Sequence, residues 1–156
     1  MSAETFPEWT HGLQEYLFER LEGDASKEWH VQFADAASKV ADWEKAYHLT
    51  MIAILNVVLP HDTSEGAVVQ RIIDLHRNYA EASVRDWFAA RWAARWVAGD
   101  VAWAARWAAR WAAGDVAWAV AWAARSAARF AAGDAAGDAA NIAIRDGFLA
   151  ACEASQ

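Results

Sequence analysis

The sequence predicts an all-α protein: a helical bundle in which three N-terminal helices pack on a helical array made from a 15-residue, Ala/Trp-rich repeat. Three observations predict it. Only two Pro and eight Gly interrupt 156 residues, so long helices meet few breakers. Apolar residues recur at spacings of three and four, and no alternating run or Asn-Gly hairpin signal points to a strand. Residues Arg91–Ala105 and Arg106–Val120 agree at thirteen of fifteen positions, which is an internal duplication.

The length suits one domain spanning 1–156, with an acidic three-helix part over 1–84 and repeat helices over 85–150. In the first helix Thr5 to Glu8 (TFPE) has capping-box spacing, and the helix should run to about Leu21 before Gly23 stops it. Asp24 or Ser26 can cap a second helix from about Lys27 to Leu59. Trp29, Phe33, Ala37, Val40, Trp43, Tyr47, Met51 and Ile54 line one face of it, and Pro60 ends it. HDTSEG is the connector. Asp62 and Glu65 repeat the capping-box spacing before a third helix that begins near Ser64 and carries Val68, Val69, Ile72, Leu75, Tyr79 and Ala82 on one face.

The second half is written in tetrads, RWAA, RWVA, GDVA and their variants. Ala is the best helix former, and fifteen residues make about four turns, so Trp92, Trp107 and Trp122 nearly superpose with a drift of about 60° per repeat. Trp96, Trp103, Trp111 and Trp118 share the stripe, and Arg91, Arg95, Arg106, Arg110, Arg125 and Arg129 border it. The Ala and Val positions between them let a neighbouring helix approach closely. Gly-Asp permits two readings. A single helix could run through it, with Asp100 and Asp115 in the Trp register; or Gly99 and Gly114 could end one helix while the Asp caps the next. A continuous helix from 85 to 132 would be roughly 70 Å long and apolar on most sides. The expectation is therefore that the chain folds back at Gly-Asp, or that a second subunit covers the stripe. Most of the Trp should be core.

Charge is uneven. Residues 1–84 hold fourteen acids against six bases, and 85–156 hold seven against eight. The acidic half argues against direct nucleic-acid binding, which needs a basic footprint. It suits solvated helix surface, a basic protein partner, or mimicry of a nucleic acid. Cys152 stands alone, which fits a reducing compartment. With no basic-then-apolar leader and with LTMIAILNVVLP too short to span a bilayer, a cytoplasmic protein is expected.

No motif carries catalysis, a cofactor or a metal. Glu44 and His48 lie four apart and could share a helix face, but no second Glu/His pair of that spacing completes a metal set. Cys152 has no His near it in sequence, GxSxG and GxxxxGK are absent, and His61-Asp62 falls in a turn where Asp62 caps. The Trp/Arg stripe is the feature with functional weight, since both residue types are enriched at binding hot spots. The candidate partner-binding residues are Glu15, Glu19 and Glu22 on the acidic part, and Arg91, Arg95, Arg106, Arg110, Trp107 and Trp111 on the repeat.

RWAARWAA and AAGDAAGDAA resemble the Ala-rich helical repeats of bacterial and phage proteins described as immunity proteins. ILNVVLPHDTSEGAVVQRIIDLHRNYAEASV upstream has a similar layout of helix, turn, acidic cap and helix, so the resemblance covers about 48–140. It implies a protective role exercised by binding something harmful. This chain departs from it in its Trp content and its His-free repeat. The expected function is a non-catalytic, protein-binding inhibitor of the immunity or antidote kind, with a homodimer as one expected form, whose partner is a toxin or a nucleic-acid-binding protein. The alternatives are a phage-encoded anti-defence (anti-CRISPR-like) inhibitor using the acidic half as a nucleic-acid mimic, and a self-assembling structural protein.

Overall fold

The computed structural model describes residues 6–59, 66–94 and 116–156. Seven helices occur among them: α1 Glu8–Arg20, α2 Gly23–Ala37, α3 Trp43–Val58, α4 Gly66–Arg77, α5 Val84–Ala94, α6 Val116–Ala132 and α7 Asp134–Glu153. The described residues contain no strand, so the chain is all-α. No helix among them is long and apolar enough to cross a membrane.

The first half differs from the three-helix expectation, because four helices precede residue 84. The helix expected over 27–59 is two. Asp42 is the N-cap of α3, its carboxylate accepting from the Lys45 amide at 2.9 Å. The extended backbone of Asp42 would otherwise strand amide donors at a helix start. The C-terminal tail supplies what the local sequence does not: the amides of Ala41 and Asp42 donate to the Ser155 carbonyl, and the Lys45 ammonium donates to the Ala154 carbonyl at 2.6 Å. The apolar period survived across this break because both helices bury the same side, which is why periodicity alone missed it.

Caps also differ. α1 begins at Glu8 with Pro7 as its N-cap and no side-chain cap bond, and Thr5 lies outside the described residues. Gly23, which was expected only to stop α1, adopts φ +60 as the first residue of α2, and Glu22 is the N-cap without a side-chain bond. Asp24 lies inside α2 and pairs with Lys27, while the Ser26 hydroxyl donates back to the Phe18 carbonyl. The third expected helix stops at Arg77 rather than passing Tyr79 and Ala82. Asn78 turns the chain by donating from its side chain to the Asp74 carbonyl, and Ser83 and Asp86 then form a reciprocal cap at the start of α5. Asp62 and Glu65 lie outside the described residues.

At Gly-Asp the two readings divide by position. Gly99-Asp100 and Gly114-Asp115 lie outside the described residues. Gly133 breaks the helix with φ +87, a conformation that side-chain-bearing residues rarely adopt, and Asp134 opens α7. Four residues later Gly137-Asp138 lies inside α7; Gly137 is buried against α6, where a Cβ would meet the Arg129 Cβ at 3.2 Å, and Asp138 is exposed. Among the described residues the chain folds back at Gly133, and Gly137 serves the seam that results.

α3 and α7 are the centre. α7 packs on α3, α6, α2 and α1, and α3 also packs on α6 and α4, while α1 packs on α2 and α6. α5 packs on α4. One core runs through both halves of the sequence: Trp9, Leu13 and Leu17 of α1, Trp29 and Phe33 of α2, Met51, Ile54 and Leu55 of α3, Ile72 and Ile73 of α4, and Ile144, Phe148 and Cys152 of α7. Phe148 stacks on Phe33 at 5.5 Å and meets Trp9 and Trp29 edge-on. Cys152, near the C-terminal end of α7, is fully buried, and burial pushes its thiol up to about 12.

The repeat helix α6 packs by its alanines. Ala121, Ala123, Ala124, Ala127 and Ala128 are buried, whereas Trp122 is 45% exposed. The expectation of Trp as core holds for Trp9, Trp29 and Trp87, and it fails for Trp92 and Trp122 among the described residues. Methyl-sized side chains permit short interaxial distances that an indole would prevent. Among the described glycines the closest approach is at Gly147 of α7, where an added Cβ would collide with the Ala53 Cβ of α3. Gly147→Ala should therefore cost about 1–3 kcal/mol by forcing the helices apart. Urea denaturation should show a lower midpoint for Gly147→Ala and a much smaller change for Gly137→Ala, whose added methyl needs only a few tenths of an ångström.

Candidate functional site

Two features stand out beyond the core, and they lie on opposite faces of α5. Ser83 and Asp86 fix where this helix begins, and their hydrogen bonds hold the Asp86 carboxyl below its usual range. From that start, the 3.6-residue period places Trp87 and Ala90 on the buried side. Val84, Phe88 and Trp92, each four residues apart, fall in one row on the other side, 77%, 65% and 52% exposed. Arg91 borders the row on one edge and Arg85 on the other, and both are exposed. An aromatic row between two guanidinium edges matches the composition of protein-binding hot spots.

Beneath α5 lies a pair of buried histidines. His48 of α3 and His76 of α4 are each 1% exposed, and their Nδ1 atoms are 2.8 Å apart. Trp87 stands against His76 at 4.9 Å, and Tyr79 stacks on His48 at 4.0 Å. Two Nδ1 atoms at that distance share one proton, so one ring donates and the other accepts. His48 Nε2 is buried without a hydrogen-bond partner. A bare lone pair there costs less than a stranded N–H, so His48 carries its proton on Nδ1 and donates to His76. The Tyr47 hydroxyl is likewise buried and unpaired, and burial pushes it up to about 12. These groups are closed off from solvent; what the arrangement does chemically is tie α3 to α4 through one proton, with α5 resting on the pair through the Trp87 ring.

The sequence-derived candidates separate. Glu15, Glu19 and Glu22 are exposed on α1 and just beyond it, and Arg91 is exposed on α5. Arg95, Arg106, Arg110, Trp107 and Trp111 lie outside the described residues. Arg125 and Arg129, expected to border the Trp stripe, pair with α7, with Asp138 at 3.8 Å and Asp134 at 2.5 Å. Glu44 is exposed while His48 points inward, so the two do not form a joint site. Among the described residues no group of three or more His, Cys, Asp or Glu could hold a metal ion; His61 lies outside them. Sequence reasoning missed the His48–His76 pair, whose members are 28 residues apart, and it missed Val84, Arg85 and Phe88. The signal for the latter was available: an i, i+4, i+8 apolar row out of phase with Trp87.

No family model, curated protein or solved structure matches the chain. Its function is therefore read from its own geometry.

Burial lowers His48 to about 4, against a weaker opposing pull from the Asp42 carboxylate. The unfolded imidazole, at 6.5, takes up a proton first. The stability from this site is therefore complete above pH 6.5 and is lost as pH falls towards 4, at up to about 1.4 kcal/mol per pH unit. Urea unfolding of the chain should weaken between pH 6.5 and 5, before most carboxylates titrate. Replacing both partners, His48→Leu with His76→Leu, should flatten that window.

Proposed function

We propose that this chain is a non-catalytic, protein-binding inhibitor of the immunity or antidote kind, and that it holds its target through the outer face of α5. The observation that carries the reading is the Val84–Phe88–Trp92 row, solvent-exposed and edged by Arg85 and Arg91 on a helix whose opposite face is anchored by Trp87. Isolated exposed apolar residues are ordinary, but a contiguous row with aromatic and guanidinium groups is a contact surface. The rigid anchoring beneath it lowers the ordering cost of binding. The acidic first half sits on separate helices, and its row of Glu8, Glu15 and Glu19 supports the second reading, a surface that meets a basic, nucleic-acid-binding partner.

The test is affinity capture from a host lysate followed by titration with the captured protein. Phe88→Ser and Arg91→Glu, both exposed positions, should each weaken the complex at least tenfold with no loss of helicity by circular dichroism. Capture unchanged by both variants refutes the α5 reading. Charge reversal at Glu15 and Glu19, together with a steep fall in affinity as salt rises, would instead assign binding to the acidic row.

A further inference from the structure

The α5 face has a complement on the same chain. At the corner of α1 and α2, Phe18 is 44% exposed and packs against the His30 ring, tilted by 32° with centroids 4.5 Å apart. By the helical period Glu15 and Glu19 fall on one side of it, with Glu22 just beyond the end of α1 and Arg20 also exposed in the last turn; none of the three carboxylates is in an ion pair among the described residues. One surface is therefore an aromatic centre with guanidinium edges and the other an aromatic centre with carboxylate edges. α5 packs on α4 and α1 packs on α2, α6 and α7, so neither face is covered by the other within one molecule.

We propose that the α5 face of one molecule receives the α1–α2 corner of a second copy of this chain, head to tail. The inference rests on the reading of α5 as a binding face and names an occupant for it. Charge sets the direction of the contact. Two α5 faces would bring Arg85 and Arg91 against their own copies, and two corners would bring Glu15 and Glu19 against theirs, and like charges placed together oppose both pairings. Unlike faces attract, so the contact is heterologous and joins copies in series or in a closed ring. The aromatic groups, Phe88 with Val84 on one side and Phe18 on the other, supply the apolar centre of the contact. Self-association and target binding then compete for α5, and a target displaces the second copy.

Two variants isolate the two faces: Phe88→Ser with Arg91→Ala removes the α5 face, and Phe18→Ser with Glu19→Ala removes the corner. All four positions are exposed, and matching circular dichroism and melting midpoints confirm the fold. In analytical ultracentrifugation from about 1 µM to about 1 mM, the wild-type chain should gain mass with concentration and lose it with added salt. Each variant alone should stay a single chain, with a dissociation constant raised at least tenfold. An equimolar mixture of the two, which retains one intact face of each kind, should form a two-chain species and nothing larger. A wild-type chain that stays monomeric throughout overturns the second-copy proposal, as does an oligomer that survives in both variants. If the wild-type chain is monomeric while Phe88→Ser still abolishes target capture, the reading of α5 stands and only its proposed occupant falls; if both fail, so does the reading.

Discussion

The contact on which the rest depends is the seam between α3 and α7, where Gly147 lets the two helices come as close as Ala53 permits. That spacing sets the depth at which Phe148, the next residue, enters the space among Trp9, Trp29 and Phe33. It also brings the end of α7 to the start of α3, where the Ser155 carbonyl receives the amides of Ala41 and Asp42. A methyl group at Gly147 would therefore disturb an aromatic cluster and a helix cap together. Packing density near that of an organic crystal makes such couplings general: the interior cannot absorb an added atom without moving a helix.

Small side chains serve a second seam. α6 lies against α1, α3 and α7 by a face of alanines, while the Tyr16 hydroxyl bonds the Asn141 side chain at 2.9 Å and ties α1 to α7 beside it. Indoles that a composition-based reading would bury are turned outward because the inner face is already full. An indole needs a wide gap, and a bundle closed at alanine spacing offers none there. Among the described residues of the repeat region, then, alanine methyl groups build the core while Trp92 and Trp122 are exposed.

α5 occupies a distinct position in this arrangement. It packs on α4 and stands over the His48–His76 pair through Trp87. Its inner face is thereby held by aromatic contact with a histidine pair whose own hydrogen bond depends on a neutral imidazole, while its outer face is exposed. One short helix joins the polar centre of the molecule to the surface through which it is proposed to act.

Helix formation was legible in the residues themselves, because alanine content, scarce proline and three-and-four apolar spacing act through local backbone physics. The exposure of Glu15, Glu19 and Arg91 was legible for the same local reason, since charged side chains stay hydrated. The helix boundaries at 38–42 and 78–83 were not, because the first is completed by a carbonyl more than a hundred residues away and the second falls within an unbroken apolar rhythm. Nor could the sequence pair His48 with His76, or show that Gly133 bends the chain while Gly137 lies flat against α6. By itself the sequence determined that this chain is helical and which residues could face inward. Which of the apolar stripes became core was decided only when the helices met, because how closely two helices approach is a property of the pair and not of either sequence.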